Sequence, residues 1–221
     1  MKKHAIRQAF LDTLPVMTGY VFLGFGFGIL LNENGYDLLW SLAMSGFIYA
    51  GSMQYVAVSL MTGGAGLLST ALTTLMVNAR HLFYGISMVD AYRGAGRKKP
   101  YLIFALTDET YSLVAGKDRP LSYCLTVSAL NQIYWVAGTV LGALAGSLIP
   151  VALPGIEFVL TALFVTIFTE QWLTSRDHMP ALLGVGATAV CLLIFGKEVF
   201  LIPSMALIAG GLTLMRRLRH E

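Results

Sequence analysis

Charge is what this chain has least of. Only 12% of its 221 residues are Asp, Glu, Lys or Arg, while 56% are hydrophobic; an average soluble domain carries roughly 25% charged residues. No charged side chain occurs from Leu38 to Ala79, nor from Pro120 to Ile156. Uncharged runs of that length exceed what a soluble core needs and read as membrane segments, each span taking about 20 residues. Cysteine is nearly absent as well. Cys124 and Cys191 both sit in apolar stretches, which excludes a disulfide framework and a thiolate metal site. The net charge of +3 is small and its basic residues sit in termini and loops, so it signals orientation in the bilayer and not nucleic-acid binding. The alternation and turn spacing of a β-barrel are missing, so helices must satisfy the backbone. After the basic stretch Met1 to Arg7 the apolar segment is long and lacks a cleavage site for a signal peptide. No nucleotide-binding motif, His-Glu-x-x-His or Gly-x-Ser-x-Gly occurs, so no cofactor or metal is expected. A Ser52–His81 dyad is the nearest approach to a proteolytic site, and nothing accompanies it. The expected fold is all-α: a polytopic helical membrane protein, a single domain over 1–221, with six to eight membrane segments, some broken or re-entrant.

In chain order, Lys2 to Leu14 reads as an amphipathic lead-in, and Pro15 as the opening of a first span that ends near Leu31. Gly19, Gly24, Gly26 and Gly28 in that span allow close helix approach or local unwinding. Leu38 to Met61 and Leu67 to Val89 are the next segments. The first is interrupted by Gly51, Ser52, Gln54 and Tyr55, which mark either a break of the kind that forms sites in transporters or a continuous helix with Gly51 at a crossing. Arg93, Arg97, Lys98 and Lys99 form the most basic loop and belong in the cytoplasm, as do the basic N-terminus and the C-terminus with Arg216, Arg217 and Arg219. Three full spans before that loop would put it outside, so either one segment between Leu38 and Val89 re-enters or the loop breaks the charge rule. Tyr101 to Gly116 is short for a span and is closed by Lys117, Asp118, Arg119 and Pro120. The segment after Pro120 has Asn131 and Gln132 as its polar point, a glycine stripe at Gly138, Gly142 and Gly146, and Pro150 and Pro154 at its end. The stripe, like Gly210-Gly211, offers a flat face to another helix and is a candidate docking face for a second membrane protein. Phe158 to Leu173, with an interfacial Glu170, and a hairpin of Ala181 to Phe195 and Val199 to Met215 turned at Gly196, Lys197 and Glu198 complete the chain.

Two polar islands stand out. Asn78-Ala79-Arg80-His81 interrupts apolar sequence with a guanidinium, which costs roughly 2.5–3.5 kcal/mol at membrane depth by insertion scales. Such a residue either faces a protein interior with a partner or snorkels to a headgroup from a helix end. The available partners are in Thr107-Asp108-Glu109-Thr110, where Thr107 is placed to cap a half-helix. The candidate binding residues are therefore Gly51, Ser52, Gln54, Tyr55, Asn78, Arg80, His81, Asp108, Glu109 and Asn131.

The strings Phe47-Ile48-Tyr49-Ala50-Gly51-Ser52-Met53-Gln54-Tyr55, Arg80-His81-Leu82-Phe83-Tyr84-Gly85 and Leu106-Thr107-Asp108-Glu109, in this order, resemble the AzlC family, the large subunits of bacterial branched-chain amino-acid transporters. The resemblance covers essentially the whole chain. It implies an inner-membrane exporter of valine, leucine or isoleucine, working with a small membrane subunit of the AzlD type. For such a substrate, Asp108 or Glu109 would meet the ammonium, and Arg80, Gln54 or backbone near Gly51 the carboxylate. Phe47, Tyr55 and Phe83 would form the apolar wall.

Overall fold

The computed structural model describes residues 2–115, 119–148 and 158–220, and among these it contains helices and no strand. The helices are α1 (Lys2–Glu33), α2 (Leu38–Ala43), α3 (Gly51–Thr62), α4 (Leu67–Val77), α5 (Ala79–Ser87), α6 (Lys99–Phe104), α7 (Asp108–Val114), α8 (Leu121–Leu148), α9 (Phe158–Thr174), α10 (Met179–Val199) and α11 (Leu201–His220). His4–Glu33, Leu121–Leu148 and Met179–Gly196 are each long and apolar enough to cross a membrane, and Leu38–Ile48, Leu67–Val77 and Ala206–Met215 are shorter apolar helices. The chain is a helical membrane protein. It divides into two compact units, residues 1–160 and 161–221.

The first unit is organised on α1 and α8, which run parallel and touch backbone to backbone. A Cβ on Gly24 would lie 2.8 Å from the Trp135 carbonyl oxygen, and one on Gly138 would lie 2.7 Å from that of Val21. At Gly28 and Gly142 a Cβ would collide with the backbone of Thr139 and of Phe25. Only glycine permits this approach. The stripe read as a docking face for a partner is therefore consumed inside the chain, with Gly146 closing the contact against Asn32. Gly19, from the same run in α1, faces open space. A second correction concerns Pro15. It does not open the span but lies inside α1, which continues from the amphipathic lead-in without interruption.

Two of the remaining segments are broken. Leu38–Ala43 runs into a π-helical turn over Met44–Ile48, and the chain then swings through Tyr49, a non-glycine residue at φ 45°. It restarts as α3 at Gly51. A non-glycine residue held left-handed costs of order 1–3 kcal/mol and persists only where its surroundings hold it there. Tyr49 is 3% exposed and packs on Phe104. The second break is Ala105–Thr107, where α6 ends and Thr107 caps α7, its hydroxyl oxygen accepting the Thr110 N–H. Of the two readings of the Gly51 region, the broken helix is the one observed. Asn78 marks a milder bend between α4 and α5.

The basic loop and the N-terminus lie at one end of this unit. His4, Gln8, Lys98, Arg119 and Ser122 line one cavity of about 930 Å³.

In the second unit, α10 and α11 pair as a hairpin around Gly196 at φ 71°, and Gly211 sits against Leu183. The turn residues Gly116 to Asp118 and the stops Pro150 and Pro154 lie outside the described residues, as do the side chains of Glu170, Lys197 and Glu198.

Two outcomes follow. Gly142→Ala forces α1 and α8 apart and lowers stability by about 1–3 kcal/mol or more, whereas Gly186→Ala, with open space around it, leaves the unfolding midpoint in detergent within error of the parent. Single cysteines placed at Gln8 and at Lys98 in a Cys-free background react with a membrane-impermeant maleimide from the same side of the membrane.

Candidate functional site

The first break leads into a residue that continues a helix poorly. Gly51 carries no side chain, and in its place the Trp135 indole bears on the backbone, 3.0 Å from where a Cβ would sit. By position, the first N–H groups of α3 have no helical acceptor. The side chains near them supply polarity. Gln54 is fully buried, and its Oε1 accepts from the Ala50 N–H at 3.1 Å and from Trp135 Nε1 at 3.0 Å. Two donors fix the amide orientation and leave Nε2 buried without a partner.

Arg80 reaches this point from the start of α5. Its Nη1 is 2.8 Å from Asp108 Oδ2, and its Nη2 donates to Ser52 Oγ at 3.0 Å. The Asp108 carboxylate is completed by Tyr84, whose hydroxyl donates to Oδ1 at 2.7 Å. Tyr84 is held in turn by stacking on Tyr111, with ring centroids 4.3 Å apart. The ion pair thus ties α3, α5 and α7 together. Its two side chains are 32% and 30% exposed, so it is neither sealed in the core nor free at the surface. Arg80 Nε is buried and unpartnered.

Glu109, next to Asp108, faces a different group of residues. The Tyr20 hydroxyl donates to Glu109 Oε2 at 2.6 Å and lies 2.6 Å from Thr107 Oγ1. Thr107 and Thr110 are 3.1 Å apart at their hydroxyls, and Asn131 Nδ2 donates to Thr110 Oγ1 at 3.0 Å. Asn131 and Thr110 are fully buried, and Asn131 Oδ1 has no partner.

Of the candidate residues, Ser52, Arg80 and Asp108 meet directly, and Gly51 and Gln54 flank the α3 break. Glu109 and Asn131 belong to the adjoining hydroxyl network. Asn78 stands at the α4–α5 bend with a buried, unpartnered Oδ1. His81 is half-buried and packs edge-on against Tyr84, off the ion pair. Tyr55 donates to the Leu23 carbonyl at 2.7 Å and packs on Phe27, so its polar tip is used in holding α3 to α1. Phe47 and Phe83, expected to form the apolar wall, are 84% and 71% exposed. Trp135, Tyr84 and Tyr111 stand beside the polar groups instead. Sequence reasoning missed Tyr20, Tyr84 and Trp135. The available signal was spacing: Asn131, Trp135, Gly138 and Gly142 follow at steps of four, three and four, which places them on one face of α8.

The fold and site define a helical membrane protein with two broken helices converging on an ion pair. The family profile described as AzlC protein matches residues 15–149. A Bacillus subtilis protein named branched-chain amino acid transport protein AzlC is 43% identical over 218 residues, covering 96% of this chain and 86% of that one. The Escherichia coli inner membrane protein YgaZ is 30% identical over 211 residues, covering 90% and 83%. A membrane protein of Haemophilus influenzae is 41% identical over 207 residues, covering 91% and 85%. This chain belongs to the AzlC family. No solved structure matches it.

Removing one partner of a fully buried ion pair costs about 3–5 kcal/mol, because the other charge is left alone; the partial exposure here lowers that to about 1–3 kcal/mol. Arg80→Ala is therefore less stable than the double variant Arg80→Ala/Asp108→Asn, as thermal unfolding in detergent or in nanodiscs reads directly.

Proposed function

We propose that this chain, as a single transport domain over 1–221, moves branched-chain amino acids across the bacterial inner membrane in the direction of export. In this reading it is a transporter and not an enzyme, and both termini are cytoplasmic. The observation that supports it most is the set of unsatisfied polar atoms at the breaks: Gln54 Nε2, Arg80 Nε and Asn78 Oδ1. Buried polar groups are ordinarily paired, and leaving one unpaired costs about 1–3 kcal/mol. Groups kept in this state at broken helices are suited to a guest that brings its own polar ends.

A zwitterionic amino acid fits by exchange of partners. Its carboxylate replaces Asp108 on the Arg80 guanidinium and takes the Gln54 amide as a second donor. Its ammonium replaces Arg80 on Asp108, where Tyr84 already holds one carboxylate oxygen. The aliphatic side chain then lies against Trp135, Tyr84 or Tyr111. The branched-chain substrate rests on the name of the Bacillus subtilis relative. The small AzlD-type partner rests on the family resemblance alone.

The test is efflux of labelled valine, leucine and isoleucine from cells or proteoliposomes carrying this chain with a small membrane subunit. Asp108→Asn and Gln54→Leu are each expected to cut efflux by at least about tenfold, the loss that about 1.4 kcal/mol of binding represents, while the protein remains membrane-inserted. Undiminished efflux in both variants contradicts the site, and efflux of none of the three amino acids contradicts the substrate.

A further inference from the structure

Asp108 and Glu109 are neighbours in one helical turn with opposite surroundings. Both oxygens of Asp108 are taken, one by Arg80 and one by Tyr84. Glu109 has no ion pair among the described residues. Its Oε2 accepts from Tyr20, and the Thr107 hydroxyl and the backbone N–H of Glu109 itself also lie against the carboxylate. What surrounds it is oxygen. Thr107 Oγ1 and the Tyr20 hydroxyl lie within one hydrogen bond of each other, Thr110 Oγ1 follows and accepts from Asn131 Nδ2, and the other end of that fully buried amide, Oδ1, is unpartnered. The Tyr49 hydroxyl, also buried, lies against Tyr20 and Thr107 and faces the same carboxylate. A carboxylate held among neutral oxygens, with the nearest guanidinium already committed, is an anion awaiting a small cation. Broken helices in transporters carry Na⁺ or H⁺ with this donor chemistry.

We propose that Glu109, with Thr107, Thr110, Tyr20 and Asn131 around it, is a monovalent-cation site whose occupancy is coupled to the substrate site at Arg80 and Asp108. The proposal rests on the transport reading for the coupling alone, not for the site. The cation is a proton or Na⁺. Either one neutralises Glu109; Na⁺ in addition needs the neutral oxygens as ligands. The coupling route is short, because Asp108 and Glu109 share one turn of α7. A substrate that opens the Arg80–Asp108 pair shifts that turn, and a cation that fixes Glu109 restrains it. The charged and titratable groups facing Glu109 are Asp108 on α7, with Arg80 bound to it from α5, Tyr84 on α5, Tyr20 on α1, and Tyr49 at the first break.

The full chain, placed in nanodiscs alone and together with the small subunit proposed above, is tested in two ways. Infrared difference spectra are recorded without amino acid, first on exchanging choline for Na⁺ at fixed pH, then on changing pH in choline. A carboxyl band that responds to Na⁺ identifies one cation, and a carboxylic-acid band that appears as pH falls identifies the other. In either case the band is lost in Glu109→Gln and displaced in Tyr20→Phe, which keeps the carboxyl but removes its donor. Asn131→Ala abolishes a Na⁺ response and spares a proton response. Valine affinity is then measured under the same exchanges. It is expected to change by about 5–150-fold with the active cation, the usual range for coupled sites, and to become independent of it in Glu109→Gln. A spectrum with no Glu109 signal in either exchange overturns the site. A Glu109 signal with valine affinity indifferent to it overturns the coupling. A Glu109 signal in a protein that binds no valine leaves the cation site standing and removes the substrate reading.

Discussion

The structure depends on how closely α1 and α8 approach. Two helices in lipid gain little from the hydrophobic effect against each other, so their association comes from van der Waals packing and polar contacts. Here the packing is backbone on backbone, at Gly24 and Gly28 of one helix and Gly138 and Gly142 of the other. The approach also sets where the polar residues stand. Tyr20, one turn before Gly24, is brought edge-on to Trp135, with ring centroids 5.6 Å apart. Trp135 in turn holds Gln54 and fills the space over Gly51. The break in α3, the orientation of the Gln54 amide and the position of Tyr20 at Glu109 all follow from one pair of helices.

Around this pair the other elements are attached by side chains. The Arg80–Asp108 ion pair, the Tyr84 hydroxyl and the Tyr84–Tyr111 stack join α5 to α7. Tyr55 joins α3 to the backbone of α1, and Tyr101 and Gln132 join α6 to α8, with Gln132 continuing to the Gly46 carbonyl in the π-helical turn. Each attachment has a polar component. In a bilayer such groups have no water to turn to, which makes them specific about position even where the net energy is small.

Much of this was legible from the sequence. Arg80 in an apolar run demanded a partner, and the Thr107–Thr110 island, itself flanked by apolar sequence, was the best candidate to supply one. The capping of α7 by Thr107 followed from residue type and position. The glycine stripe was recognisable as a packing face, but not which helix it would meet: Gly24 and Gly28 match it only if α1 and α8 lie parallel, and connectivity does not state that. Tyr49 could not have been foreseen as left-handed, because nothing in the residue favours that conformation and its surroundings impose it. Phe47 and Phe83 were misjudged for a related reason. In a soluble protein large aromatics mark the interior, whereas in a membrane protein the outside is equally apolar and their presence does not say which way they face.

The contrast between the two kinds of attachment sets a mechanical order. Contacts between α1 and α8 are numerous, short and made by backbone, so that pair deforms last. The segment Leu67–Ser87 holds no buried residue in α4 or α5 and is bent at Asn78. Among the described residues, its polar side-chain ties to the rest of the unit are made by Arg80, Tyr84 and Ser87. Under thermal agitation the compliance of this half of the chain is concentrated there, in a lever that pivots at Asn78 and carries the guanidinium two residues beyond its hinge.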